Sequence, residues 1–96
     1  MKLPEQCENI QDIRVEIDNI DKKIINLLGT RYNYVKAASK FKKNEENVRA
    51  DDRVKKMIEK RREWAESEGL SPDIVENIYR TLVNYFISEE LNEWRK

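Results

Sequence analysis

The chain has 96 residues, of which 39% are apolar and 40% are charged, with only two Gly and two Pro. That length suits one small domain, residues 1–96, and so few turn-forming residues favour long helices over a sheet. Nineteen basic residues balance nineteen acidic ones, which argues against the positive field that a nucleic-acid partner requires.

Histidine is absent and cysteine occurs once, at Cys7. The absence of histidine excludes His-based catalytic triads and His metal sites. A single cysteine forms no disulfide within the chain, which favours a reducing compartment. Neither a signal-peptide pattern nor a long apolar span is present. We therefore expect a cytoplasmic protein without a membrane partner.

The first predicted helix begins near residue 8 and carries a heptad-like stripe for more than thirty residues. The stripe consists of Ile10, Ile13, Ile17, Ile20, Ile24, Leu27, Arg31, Tyr34, Ala38 and Phe41. Gly29 is the only breaker, and one Gly costs a helix about 1 kcal/mol. A helix of about 35 residues is roughly 50 Å long, which exceeds the width of a compact monomer of this size. We therefore expect an intertwined homodimer that shares its core and its pockets.

A polar, aperiodic stretch at 44–51 is predicted to be a loop. The second helix is expected to begin at residue 51 or 52 and to end before Gly69, a residue suited to the position after a helix. Its inner side is predicted to comprise Val54, Met57, Ile58, Arg61 and either Trp64 or Ala65. Ser71 and Pro72 then provide an N-cap and a first-turn proline for a third helix that reaches Trp94. The fold class is therefore all-α, with a three-helix protomer.

Charged residues interrupt these apolar faces. Arg14 borders the first stripe, Arg31 lies within it, and Lys42 follows Arg31 by three helical turns. Glu90 shares a face of the third helix with apolar side chains. Each could simply extend from the edge of the core into solvent. Three cations against one carboxylate nevertheless leave an excess of positive charge, which predicts a pocket for a small dianion.

Five stretches carry a recognisable pattern: MKxPExC at 1–7, DIRxxIDxID at 12–21, LGTRYNYVKAASKFK at 28–42, KRREWAESEGL at 60–70 and YFISEELNEW at 85–94. Together they resemble the all-helical chorismate mutase family, most closely the isochorismate pyruvate lyases that make salicylate for siderophores. The resemblance implies a three-helix protomer and an interlaced homodimer with two shared active sites. It also implies that no metal or cofactor is used.

The resemblance implies roles for individual residues. The family's substrate-binding positions match Arg14, which would reach the partner's site, and Arg31; both would hold substrate carboxylates. Lys42 matches the catalytic lysine beside the ether oxygen that joins the ring to the pyruvyl group. Apolar side chains on the same helix faces, Val35 and Ile87, complete the expected substrate-binding surface.

Further matches to the family complete the expected site. Residues 43–52 match a lid, and Arg53 matches another basic position near the substrate. Glu90 stands where the family usually has a glutamine that donates to the ether oxygen. A carboxyl group donates only when it is protonated, and burial and nearby cations shift its pKa in opposite directions. We expect Glu90 to be the second catalytic residue and to work protonated.

The implied activity is the pericyclic conversion of isochorismate to salicylate and pyruvate. Val54 replaces a glutamate that binds the ring hydroxyl in chorismate mutases, which favours the lyase. Chorismate mutase, which converts chorismate to prephenate, is the alternative enzyme, and lyases of this group often retain some of that activity. A non-catalytic helical regulatory or interaction module is the alternative from another class, and Glu90 keeps that alternative open.

Overall fold

The structure is a computed structural model that describes residues 1–96, and its regular elements are all helical. The α-helices are α1 (Ile10–Ala38), α2 (Glu45–Arg49), α3 (Asp51–Ser67) and α4 (Pro72–Trp94), with 3-10 turns at Pro4–Gln6 and Ser39–Phe41. The all-α class and the three long helices are confirmed. None of the helices combines the length and the apolarity needed to cross a membrane.

The chain divides into two compact units, Met1–Asn33 and Tyr34–Lys96. In the first unit, Asn9 caps α1 because its Oδ1 accepts the backbone N–H of Asp12 at 2.9 Å. The Asp12 carboxylate in turn accepts the backbone N–H of Glu8 and the ammonium of Lys2, both at 3.0 Å. These contacts lower the pKa of Asp12, the backbone hydrogen bond contributing most. The predicted start of the first helix is therefore confirmed.

Helix α1 passes through Gly29 without a break but contains no buried residue. Seven of its large apolar side chains are between 46% and 69% exposed; they are Ile10, Val15, Ile17, Ile20, Ile24, Ile25 and Leu27. The helix has 29 residues, a length of about 44 Å. The helix is therefore shorter than the predicted 35 residues. It ends at Ala38, where the 3-10 turn Ser39–Phe41 takes the place of the last predicted α-helical turn.

The second unit packs α3 against α4 around an apolar core. The centre of this core is Met57, Ile58 and Val83, against which Val54, Tyr79 and Ile87 pack. Of the alternatives on the inner side of α3, Ala65 is buried, whereas Trp64 is 50% exposed. Ion pairs between the two helices add to this packing, because Arg62 lies 3.0 Å from Asp73 and 2.8 Å from Glu76.

The connections explain where these helices begin and end. The predicted loop at 44–51 is wrong in part, because it contains α2, which Asn44 caps by accepting the N–H of Asn47 at 2.8 Å. Val48 of this short helix is buried. Gly69 has a φ of 72° and Ser71 Oγ accepts the N–H of Ile74, which confirms both predicted signals.

Candidate active site

Lys42 follows the 3-10 turn and has extended backbone angles, φ −92° and ψ 135°. Its backbone N–H donates to the Ser39 carbonyl at 3.2 Å. The prediction that Lys42 continues the helical face of Arg31 is therefore wrong, since α-helical periodicity stops at Ala38. The direction of the Lys42 side chain therefore depends on the 3-10 turn before it and on the groups that form hydrogen bonds with Lys42.

The structure brings Lys42 together with Glu90, which lies in the penultimate turn of α4. The Lys42 ammonium is 3.9 Å from Glu90 Oε1 and donates a hydrogen bond of 3.0 Å to the Asn47 carbonyl. Glu90 is only 6% exposed, and its Oε1 has no hydrogen-bond partner within the chain. A buried carboxyl oxygen without a hydrogen bond is costly, so a hydrogen bond from this atom to a ligand would be favourable.

The charge of Glu90 depends on two opposing effects. Burial raises the pKa of the Glu90 carboxyl above its usual 4.5, and the positive charge of Lys42 lowers it. The effect of burial is the larger, so the pKa is raised overall. The neutral carboxyl group, which can donate a hydrogen bond, is therefore favoured relative to an exposed glutamate.

Two residues that hold Lys42, Trp94 and Asn47, were not predicted from the sequence. The indole N–H of Trp94 donates to the Lys42 carbonyl at 3.0 Å. Asn47 accepts the Lys42 ammonium through its backbone, while its side chain accepts the N–H of Lys43 at 3.2 Å. The spacing of Trp94, one helical turn after Glu90, was the available signal, but tryptophan at that spacing is also typical of ordinary packing.

The remaining predicted residues of the second unit, Val35, Ile87 and Arg53, make no side-chain hydrogen bond or ion pair with Lys42 or Glu90. Val35 and Ile87 are half-buried, and Ile87 packs on the α3–α4 core. Arg53 is exposed in the first turn of α3 and makes no ion pair with Glu90. It borders a cavity of about 610 Å³ between α2 and α3, lined also by Glu46, Asn47, Arg49, Ala50, Asp51 and Asp52.

The first unit holds the two predicted carboxylate-binding arginines on α1. Arg14 is exposed near the start of the helix, and Arg31 is half-buried near its end. A cavity of about 680 Å³ in this unit includes Glu16, Asn19, Lys22 and Asn26 but neither arginine. This cavity therefore does not correspond to the predicted site.

Residues 13–91 match the family model described as chorismate mutase type II. The chain belongs to the chorismate mutase type II family. This confirms the resemblance carried by the five sequence stretches.

Two relatives illustrate the range of the chorismate mutase type II family around this chain. It is 43% identical over 96 residues to isochorismate pyruvate lyase of Pseudomonas aeruginosa, an alignment covering 100% of this chain and 95% of that protein. It is 31% identical over 84 residues to the T-protein of Haemophilus influenzae, covering 86% of this chain but 22% of the T-protein. The likeness to the lyase therefore extends over nearly both whole proteins.

Proposed function

We propose that this chain is an isochorismate pyruvate lyase, which converts isochorismate to salicylate and pyruvate. The observation that carries the proposal is the pair formed by the half-buried Lys42 and the buried Glu90, whose Oε1 lacks a hydrogen bond. The similarity to the Pseudomonas aeruginosa lyase over the full chain supports the same assignment.

The reaction needs shape and charge more than acid–base groups. As the ether C–O bond breaks, the hydrogen on ring C2 moves to the methylene of the enolpyruvyl group. The ring becomes the aromatic ring of salicylate and the side chain leaves as pyruvate, so no other reactant is required. Neither a nucleophile nor a separate base takes part, which suits a chain without histidine. The protein must hold the flexible dianion in a folded conformation and stabilise charge at the ether oxygen.

Lys42 and Glu90 suit the second task. The ammonium of Lys42 would face the ether oxygen as that atom gains electron density. A protonated Glu90 would donate a second hydrogen bond to the same atom, and its raised pKa favours that form. When Glu90 is ionised, its carboxylate would instead repel the oxygen and neutralise Lys42.

Arg14 and Arg31 suit the first task, since a guanidinium group binds a carboxylate through two parallel hydrogen bonds. Arg14 is exposed and would act in the site of a second copy of the chain. The exposed apolar stripe of α1 supports such a homodimer, because burying it against another copy is favourable by about 25 cal/mol per Å². Residues 1–96 would then act as one domain within that dimer. Val35, Ile87 and Arg53 would complete the substrate-binding surface.

Chorismate mutase is the second candidate activity, favoured by the family match. Both reactions start from a cyclic dianion with an enolpyruvyl ether, so the same charges could serve both. Val54 distinguishes the two, because its apolar side chain packs on the core and offers no acceptor for a ring hydroxyl. This difference supports the lyase as the main activity.

The test supplies the purified protein with each substrate separately. We expect salicylate and pyruvate from isochorismate, formed with a higher kcat/KM than prephenate from chorismate. A higher kcat/KM for the formation of prephenate would show that the chain is mainly a chorismate mutase. If neither product forms but salicylate or pyruvate still binds, the chain is a non-catalytic module.

A further inference from the structure

The C-terminal end of α4 contacts the segment around Lys42 at three points. Glu90 lies 3.9 Å from the Lys42 ammonium, and Trp94 donates to the Lys42 carbonyl at 3.0 Å. The next residue, Arg95, pairs with Glu45 in the first turn of α2. Residues about fifty positions away in the sequence therefore hold this segment at the Lys42 ammonium, at the Lys42 carbonyl and at Glu45.

Lys42 needs such support because regular secondary structure does not fix it. Its backbone is extended and lies between a 3-10 turn and the N-cap of α2. The Trp94 indole N–H supplies a partner for the Lys42 carbonyl, and indole nitrogen can act only as a donor. The Lys42 side chain has four rotatable carbon–carbon bonds, so a small change in backbone direction would move its ammonium by several ångströms.

We propose that Trp94 is a positioning residue for the reaction, acting through its indole N–H on the Lys42 carbonyl so that the ammonium stays beside Glu90. This inference rests on the proposed catalytic role of Lys42. Trp94 itself does not touch the reacting atoms in this proposal. Its loss should therefore lower kcat, because displacement of a catalytic charge weakens transition-state stabilisation, and should change KM little.

A purely structural role for Trp94 predicts a different result. The Trp94→Phe substitution keeps an aromatic ring for packing and removes the N–H donor. Trp64→Phe is the matched control, since Trp64 is the other tryptophan, is 50% exposed on α3 and stacks on Arg61 rather than near Lys42. If only packing matters, neither substitution changes kcat.

The kinetic test uses the full chain with isochorismate and follows salicylate. We expect Trp94→Phe to lower kcat about three- to tenfold, the range of one net hydrogen bond, with KM within twofold and Trp64→Phe unchanged. The same substitution in a Lys42→Ala background should lower the residual activity no further, because its effect passes through Lys42. An unchanged kcat in Trp94→Phe, or an equal loss with and without Lys42, overturns the proposal.

A second measurement does not depend on activity. The unaltered chain has two indole N–H signals in a ¹⁵N NMR spectrum, and Trp64→Phe assigns them. We expect the Trp94 indole proton to exchange with solvent at least tenfold more slowly than that of Trp64. Equal exchange rates would show that the hydrogen bond is absent and would overturn the proposal. A protected indole in a chain that makes no salicylate would instead refute the proposed function.

Discussion

Replacing Glu90 with glutamine is the sharpest test of how the site works. The buried carboxyl has a raised pKa and lies 3.9 Å from the Lys42 ammonium. If only the protonated form assists the reaction, wild-type kcat falls as pH rises, by up to tenfold per pH unit above the pKa. Glutamine donates at every pH, so the E90Q variant should have a flat profile.

The distance to Lys42 sets the size of this effect. Two unit charges 3.9 Å apart attract each other by about 4 kcal/mol at an effective dielectric constant of 20. An ionised Glu90 would compete with the ether oxygen for Lys42 by up to this amount, about three orders of magnitude in rate. We therefore expect E90Q to exceed the wild type at pH 8 by between about ten- and a thousandfold.

The assay measures salicylate formation at saturating isochorismate between about pH 5 and 8, where substrate carboxylates stay ionised. Glu93→Gln is the control, because Glu93 lies in the last turn of the same helix but pairs with Lys96, beyond the helix end. Its profile should match the wild type. A flat wild-type profile, or the same slope in E90Q, would refute a protonated catalytic role for Glu90.

Thermal stability provides a second readout of the same group. A carboxyl whose pKa is raised by folding contributes stability that is present below its unfolded value, 4.5, and is lost as pH rises through the folded pKa. The Tm of E90Q relative to the wild type should therefore increase between pH 5 and 8. A constant difference in Tm would mean that folding does not raise this pKa.

The other predictions concern the cation, the shared site and the core. Lys42→Ala should lower kcat about 10²- to 10³-fold with little change in KM, and Lys43→Ala, at the exposed neighbouring position, should have no effect. A rise in KM alone would mean that Lys42 binds the substrate and the transition state equally well. When inactive Arg14→Ala and Lys42→Ala chains are mixed, about a quarter of wild-type activity should return, since half the dimers would be mixed and each would carry one intact site of two. No recovery in proven heterodimers would refute shared sites. Ile58→Ala should lower the free energy of unfolding in urea by about 2–5 kcal/mol and Ile58→Val by about 0.5–1.5, because Ile58 is buried; equal losses would contradict its place in the core.

The sequence by itself determined that the fold is all-helical and where most of the helices begin and end. The few Gly and Pro residues, the apolar periodicity and the signals at Gly69 and Ser71 are local properties, and local backbone chemistry acts on them directly. The family could also be identified, because its pattern extends over nearly the whole chain. The short α2 was missed because its five residues, four of them polar, are too few to show a periodicity, although Asn44 was a visible N-cap.

Only the tertiary structure decided where the first helix ends and how Lys42 is held. The Lys42 carbonyl bonds to an indole 52 residues further along the chain, and no local pattern contains that contact. The state of Glu90 was likewise open, since burial and a neighbouring cation shift its pKa in opposite directions. Burial exceeds the effect of Lys42 because α4 places the carboxyl inside, with the ammonium 3.9 Å away. The balance depends on distances and solvent access, which the order of residues alone does not contain.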